Sequence, residues 1–345
     1  MIGRSIMFAV AGIVCASPAM AQSVAPRSAV PIREVVIPDG GDVRYAITIT
    51  VNGVPFEVGL DTGSTGLRLL PRAVRNARVE AGEQPERYSY TSGVLLQGGR
   101  TMARVRLGAA AGIVAIHAIE RVSCVQAKPD CPASRIPPQA YGLMGSGRPR
   151  AGFPAIVGIR LQEGRIPNPM AALGVRRWIV HLPQHGQGDG LLVLNPDARD
   201  TAGFVSLRPG AGSSGTVGSC LMALAPPPAR ICGPTLLDTG APGLTVRGAK
   251  VPSNWAPQLP ARITFVPEAA GSAPALTFRS GDRAHGAHAT FMPDRHLARP
   301  EISAGTLPFY AFDVLFDGDH QTIAVRPNRN AGPAVRPAAG AMQQR

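Results

Sequence analysis

The sequence predicts a mainly β protein, and three observations lead to this fold class. Apolar and polar residues alternate in short runs, as in residues 45–51 and 323–325, which is the period of half-buried strands. Glycine (40 residues) and proline (34 residues) are frequent and mark turns such as Asn52-Gly53 between the runs. Helical periodicity is weak, and we expect one short helix at residues 168–173. The sequence therefore predicts an all-β fold.

The most specific feature is the motif Asp-Thr-Gly-x-x-Gly-Leu, which occurs at residues 61–67 and again at residues 238–244. An apolar run precedes each copy, so each aspartate is expected at the end of a buried strand. A single copy would indicate a β-turn, because Asp and Gly are common turn residues. Two copies instead predict two similar lobes with a cleft between them, to which Asp61 and Asp238 each bring one carboxyl group. Two carboxyl groups that share a proton can act as base and acid on one water molecule.

The first 21 residues have the features of a signal peptide. Arg4 supplies the positive charge, residues 6–15 form the apolar stretch, and residues 19–21 (Ala-Met-Ala) form a cleavage site before Gln22. The apolar stretch is too short to span a membrane, and no later stretch reaches that length. We therefore expect a periplasmic or secreted protein that is cleaved after Ala21 and is not stably inserted in a membrane.

The rest of the chain divides into two lobes and a tail. The N-terminal lobe is expected at residues 22–182 and the C-terminal lobe at residues 183–327, with the Gly-rich residues 184–190 as the connection. Residues 328–345 are rich in Pro, Ala, Gly and Gln, which predicts a disordered tail.

After removal of the signal peptide the chain contains four cysteines. An even number of cysteines in an exported protein favours disulfide bonds. The sequence alone permits three pairings, and the pairing of nearest neighbours gives one bridge in each lobe: Cys124–Cys131 and Cys220–Cys232. The spacings do not resemble those of a zinc site.

The charge pattern and the remaining motifs narrow the class of ligand. The net charge of +13 comes almost entirely from scattered arginines, so it gives little support for nucleic-acid binding. The region that contains His285, His288 and His296, with Asp282 and Asp294, is Gly-rich and has no helical pattern, so a solvated loop is favoured over a metal site. Phosphate-binding, dinucleotide-binding and serine-hydrolase motifs are absent. We expect a monomer without metal or cofactor.

Residues 45–70 resemble the first catalytic segment of the pepsin-like aspartic proteases, with its strand, Gly-containing turn, second strand and Asp-Thr-Gly-Ser loop in the same order. Residues 90–93 (Tyr-Thr-Ser-Gly) resemble the flap hairpin of that family. Residues 143–145 (Leu-Met-Gly) resemble the element that passes behind the first active-site loop, and residues 304–309 resemble its counterpart in the second lobe. The resemblance covers most of residues 33–327.

The resemblance implies a bilobal fold with Asp61 and Asp238 as the catalytic pair that holds the attacking water. It also implies that the hydroxyl groups of Thr62 and Thr239 bond across between the two loops and keep the carboxyl groups nearly coplanar. No acyl intermediate is expected, because the water attacks the peptide carbonyl directly.

Residues next to the two aspartates would support the carboxyl groups. Gly63 and Gly240 let backbone amides approach them, and Ser64 would donate a hydrogen bond to the outer oxygen of Asp61. The second loop has Ala241 at the position of Ser64, followed by Pro242. One interpretation is an active pair of aspartates with one hydrogen-bond donor fewer. The other is a second Asp loop that has lost its catalytic role.

The expected flap residues are Tyr90 and Gly93. Arg68 stands where this family usually has Trp as the partner of the flap Tyr, and Tyr90 could equally be an ordinary strand residue. The function implied is that of an exported aspartic endopeptidase with a polypeptide substrate. The alternative is an envelope protein with the same fold that binds or inhibits a partner without turnover.

Overall fold

The computed structural model describes residues 24–38, 42–212, 214–225, 229–252 and 255–339. These residues form 21 strands and three short helices, which confirms the predicted all-β class. The short helix expected at residues 168–173 is present as Pro169–Ala172, capped by the side chain of Asn168. The signal peptide expected at residues 1–21 lies outside the described residues.

The elements of the first half of the chain are β1 Ser28–Val36, β2 Val43–Val51, β3 Val54–Asp61, β4 Thr65–Leu69, α1 Pro71–Asn76, β5 Gln84–Ser89, β6 Val94–Leu107, β7 Ala110–Cys124, β8 Ala155–Ile159, α2 Pro169–Ala172, β9 Arg177–His181 and β10 Gly190–Leu194. Those of the second half are β11 Val205–Leu207, β12 Val217–Ala223, β13 Arg230–Leu236, β14 Leu244–Gly248, β15 Pro260–Phe265, β16 Pro274–Arg279, β17 Ala289–Pro293, β18 Glu301–Ser303, α3 Leu307–Ala311, β19 Phe312–Asp317, β20 Thr322–Pro327 and β21 Val335–Ala339.

The strands form two large sheets. One has 13 strands in the order β11-β20-β19-β9-β10-β1-β2-β3-β8-β4-β7-β6-β5, and the other has eight in the order β17-β14-β18-β13-β12-β15-β16-β21. The larger sheet contains strands from both ends of the chain, since β19 pairs with β9 and β10 pairs with β1. It therefore crosses the lobe boundary that we expected between residues 182 and 183.

The two copies of the Asp-Thr-Gly motif lie in the same local arrangement of three strands. In the first copy β8 lies between β3 and β4, parallel to β3 and antiparallel to β4. In the second copy β18 lies between β13 and β14, again parallel to the first and antiparallel to the second. The first motif begins at the last residue of β3 and ends within β4, and the second begins two residues after β13 and ends at the first residue of β14.

The element behind the first motif is β8, which corrects the expectation for residues 143–145. Gly158 of β8 is opposite Asp61, and a Cβ atom at Gly158 would lie 2.7 Å from the backbone oxygen of Ser64. All five residues of β8 are buried, as a strand between two neighbours requires. Met144, by contrast, has φ +57°, a left-handed conformation that cannot continue a strand.

One hydrophobic core connects the two sheets. It contains buried residues from β1 through to β21, and Tyr45 and Tyr310 meet within it with their hydroxyl oxygens 2.5 Å apart. A smaller core lies under the β5–β6 hairpin and is formed by residues that include Leu70, Leu96 and Ile119. The hairpin is therefore supported by its own apolar cluster.

Both expected disulfide bonds are present, Cys124–Cys131 and Cys220–Cys232. The second bridge joins residues that are directly opposite each other on β12 and β13. The first closes a short loop after β7, and Cys131 is buried in the smaller core. Disulfide bonds indicate an oxidising compartment.

The tail expected to be disordered from residue 328 is ordered as far as residue 339. Asn328 is buried, and β21 pairs antiparallel with β16 at the edge of the smaller sheet. The free edge of β16 offers backbone hydrogen bonds whatever the side chains of the added strand, and Val335 enters the core. An edge strand also tolerates a proline such as Pro337. The Pro-rich composition of this segment therefore predicted a disordered tail, although the segment forms a strand.

No helix within the described ranges is long and apolar enough to cross a membrane.

Candidate active site

The first Asp loop, residues 61–64, begins at the last residue of a buried strand. Leu60 is fully buried and Asp61 is 3 % exposed. The Asp61 carboxylate accepts hydrogen bonds from the backbone N–H groups of Gly63 (2.7 Å) and Ser64 (3.0 Å) on Oδ1. The Ser64 hydroxyl donates to Oδ2 at 2.5 Å. These three donors stabilise a negative charge on Asp61.

The second Asp loop, residues 238–241, has fewer donors. The backbone N–H of Gly240 donates to Oδ1 of Asp238 at 2.8 Å. The position that corresponds to Ser64 is Ala241, whose backbone N–H bonds to the carbonyl oxygen of Asp238 and not to its side chain. Asp238 therefore receives one donor from its own loop where Asp61 receives three.

The two loops are joined by four reciprocal hydrogen bonds from the threonines. The hydroxyl of Thr62 donates to the carbonyl oxygen of Leu237 (2.7 Å) and accepts from the N–H of Thr239 (3.0 Å). The hydroxyl of Thr239 donates to the carbonyl oxygen of Leu60 (2.8 Å) and accepts from the N–H of Thr62 (3.1 Å). Both threonines are buried, so these bonds are shielded from water.

The glycines of the two loops let the carboxyl groups come together. A Cβ atom at Gly63 would collide with the carboxyl group of Asp238, and one at Gly240 would lie 2.7 Å from Oδ1 of Asp61. Each glycine thus faces the aspartate of the other loop. The two carboxyl groups are close enough to hydrogen-bond with each other. The structure therefore brings Asp61, Asp238 and their four expected Thr and Gly neighbours into one site.

The surroundings favour protonation of Asp238. Desolvation, followed by the negative charge of Asp61, raises the pKa of Asp238 to about 7, although the Gly240 N–H acts in the opposite direction. Asp61 has three donors that favour its ionised form. The two carboxyl groups can therefore share one proton, which the surroundings favour on Asp238.

The β5–β6 hairpin carries the expected flap residues. Its turn is formed by residues 90–93, and Gly93 has φ +93°, which only glycine adopts readily. Tyr90 packs on the smaller core, and its hydroxyl is buried without a hydrogen-bond partner in the described parts of the chain. Its burial raises the pKa of Tyr90. The ring of Tyr90 therefore serves packing.

Tyr88, two residues earlier on β5, has the contacts that we expected of Tyr90. The guanidinium carbon of Arg68 lies 3.6 Å from the centre of the Tyr88 ring, and the Tyr88 hydroxyl interacts with that of Ser64. Arg68 is buried and donates at 3.5 Å to the Ser64 hydroxyl. A chain of contacts thus leads from the hairpin to Asp61. The alternation of the strand, which places residues 88 and 90 on one face, could have suggested Tyr88 as an alternative.

The histidines considered for metal binding have other contacts. Nδ1 of His285 lies 2.7 Å from Oδ2 of Asp282, and the N–H of His296 donates to Asp294. Burial lowers the pKa of His288. Within the described ranges, no three His, Cys, Asp or Glu side chains are grouped in a way that could hold a metal ion.

Comparison with protein-family models gives no match for this chain. Comparison with curated proteins gives none either.

Proposed function

We propose that this protein is an aspartic endopeptidase of the pepsin-like, bilobal type. The observation that carries the proposal is the reciprocal bonding of Thr62 and Thr239, which fixes two Asp loops so that their carboxyl groups can share one proton. A turn with a structural role alone would not need a second copy of the same motif facing it, with a glycine at each point of close approach.

The chemistry follows from the difference between the two carboxyl groups. Asp61, held as the carboxylate, takes a proton from a water molecule between the two groups, and the water oxygen attacks the peptide carbonyl carbon. Asp238, held as the acid, gives its proton to the carbonyl oxygen. The tetrahedral intermediate then collapses as Asp61 gives the proton it took from water to the nitrogen, while a hydroxyl group of the intermediate returns a proton to Asp238. The C–N bond breaks without a covalent bond to the protein, and both carboxyl groups regain their starting protonation states.

The compartment and the substrate belong to the same proposal. The two disulfide bonds fit an exported protein, periplasmic or secreted, that acts as a monomer on polypeptides. The β5–β6 hairpin, supported by the smaller core, would cover the substrate and exclude water from the two carboxyl groups.

A second candidate is a protein that binds a polypeptide without cleaving it. The observation that favours it is the second Asp loop, where Ala241 and Pro242 leave Asp238 with a single donor from its own loop. If the two carboxyl groups do not share a single proton, they cannot activate water. The two Asp loops and the β5–β6 hairpin would still bind an extended polypeptide.

Cleavage of a denatured protein over a pH series separates the two candidates. The enzyme hypothesis predicts turnover by the wild type at weakly acidic pH, where one of the two coupled carboxyl groups is ionised and the other is protonated. It also predicts no turnover by Asp61→Asn. Binding of the denatured protein by both variants, with cleavage by neither at any pH, would establish the second candidate.

A further inference from the structure

Arg44, near the start of β2, connects the two halves of the site. Its Nε donates to the carbonyl oxygen of Met144 at 3.0 Å, and one terminal nitrogen donates to the carbonyl oxygen of Gly240 at 3.2 Å. The residue is 8 % exposed. A guanidinium group is suited to this role, because its planar, rigid fork can bond two acceptors at fixed angles.

The contact with Gly240 places a buried positive charge beside the second Asp loop. Gly240 also donates its N–H to Asp238, so the same residue bonds with Arg44 through its carbonyl group and with Asp238 through its amide. Both aspartates interact electrostatically with the guanidinium group. A charge at a site of low dielectric acts more strongly than one at the surface.

The nearby acidic group Asp42 offsets this charge only in part. Asp42 lies 3.8 Å from Arg44, but it also lies 3.5 Å from Arg283, so one carboxylate is shared by two arginines. His288 also lies near Arg44, and burial, followed by the positive charge of Arg283, lowers its pKa and so disfavours its charged form.

Other groups face the aspartates from the remaining elements. Arg160, after β8, interacts with both carboxyl groups and also bonds to the backbone of Ser214. Tyr88 of β5 interacts with both and is neutral, because burial raises its pKa. Arg68 of β4 is a further buried positive charge, and it donates to the Ser64 hydroxyl of the first Asp loop. Among these groups, Arg44 is the one that donates a hydrogen bond to a residue of the second Asp loop.

We propose that Arg44 is a positioning residue that compensates for the hydroxyl group missing at Ala241. It holds the Gly240 carbonyl in place and supplies a positive charge, where the first loop has the Ser64 hydroxyl beside Asp61. The role in catalysis rests on the proposed endopeptidase function, whereas the effect on the proton of the aspartate pair does not.

The kinetic test is the pH profile of kcat/KM for Arg44→Gln, Arg44→Lys and the control Arg283→Gln. Loss of the charge in Arg44→Gln should raise both limbs of the profile by about one pH unit. Arg44→Lys should keep the limbs of the wild type but lower kcat about tenfold, since the charge remains and the fork is lost. Arg283→Gln removes a positive charge that pairs with Asp42 and leaves the bond between Arg44 and Gly240 in place, so its limbs should move less than those of Arg44→Gln.

A restoring substitution makes the kinetic test more specific. Ala241→Thr in the Arg44→Gln background should move the limbs back toward those of the wild type, because the new hydroxyl supplies a donor to Asp238. Limbs that do not move in Arg44→Gln, or that move equally in Arg44→Lys or Arg283→Gln, would overturn the role of the Arg44 charge.

The second test needs no cleavage activity and follows Tm against pH. An acid whose pKa is raised by folding takes up a proton on folding, so stability falls as pH rises from about 4 to the folded pKa and is then constant for this group. Asp238→Asn should remove this fall. In Arg44→Gln the fall in stability should extend about one pH unit higher than in the wild type. Arg44→Lys, the folded reference, should show the same fall as the wild type. If Arg44→Gln shows the same pH dependence as the wild type, the proposal is wrong, even where the protein cleaves no substrate.

Discussion

The guanidinium group of Arg68 stacks on the ring of Tyr88, with 3.6 Å between the guanidinium carbon and the ring centre. Arg68 also reaches the Ser64 hydroxyl, which donates to Asp61. The β5–β6 hairpin is thus linked to the first Asp loop by a cation–π contact and two hydroxyl groups. Tyr88, and not Tyr90, is therefore the hairpin residue that contacts the side chains next to Asp61.

This relationship predicts different effects for the two tyrosines. Tyr88→Leu should lower kcat/KM about tenfold, because the hairpin loses its contact with Arg68. Tyr90→Phe should leave kcat/KM unchanged and keep or raise Tm, because the buried Tyr90 hydroxyl has no partner among the described residues and its removal ends a desolvation cost. Equal losses of kcat/KM in the two variants would mean that Tyr88 has no special role.

The threonine bonds predict a strong coupling between the two loops. Thr62→Val or Thr239→Val leaves a buried N–H and a buried carbonyl group without their partner, which should cost about 1–3 kcal/mol in urea unfolding. The double variant should cost less than the sum of the two single variants, because both hydroxyl groups join the same two loops and the loss of one pair of bonds already loosens the other pair. Thr277→Val, at a half-buried position of β16, is the control. Additive losses would show that the loops are independent.

The paired glycines predict that one methyl group abolishes activity. Gly63→Ala and Gly240→Ala should each lose more than about 10²-fold in kcat/KM, because the new Cβ displaces the aspartate of the opposite loop. Gly271→Ala is the matched control, because the space around its Cβ is open and its φ is not positive. Wild-type activity in Gly63→Ala would contradict the close approach of the two loops.

Ala241 predicts the pH range of the reaction. Desolvation and the negative charge of Asp61 raise the pKa of Asp238, and Ala241 has no hydroxyl group to oppose them, so the optimum should be weakly acidic. Ala241→Thr adds a donor to the ionised form and should move both limbs of the kcat/KM profile about one unit toward lower pH. Because the proton is shared, the shift belongs to the pair of carboxyl groups. Limbs that stay in place or move upward would contradict this explanation of the second loop.

The parts of the site that repeat in the sequence could be predicted from it. The doubled motif identified Asp61, Asp238 and the threonines between them, because the spacing of residues within a tight loop determines where their polar groups lie. The disulfide bonds followed from the even number of cysteines and from the pairing of each cysteine with its nearest neighbour in the sequence. The all-β class followed from short alternating runs.

Contacts between distant segments could not be predicted in the same way. Residues 143–145 and Ile156-Val157-Gly158 both have the apolar-apolar-Gly pattern, and only the pairing of β8 with β3 and β4 distinguishes them. Arg44 precedes its partner Gly240 by 196 positions, so nothing local marks it. The strand β21 depends on the free edge of β16, which is a property of the sheet and not of residues 335–339.

The central claim is that Asp61 and Asp238 act as one unit on a water molecule. The most direct test measures kcat/KM on a denatured protein for Asp61→Asn, Asp238→Asn, the double variant and the control Asp282→Asn. We predict that each single variant loses about 10³-fold or more in kcat/KM, and that the double variant loses no more than the more affected single variant. Asp282→Asn should keep the kcat/KM of the wild type. Substantial activity in either single variant, or losses that multiply in the double variant, would contradict the shared-proton mechanism.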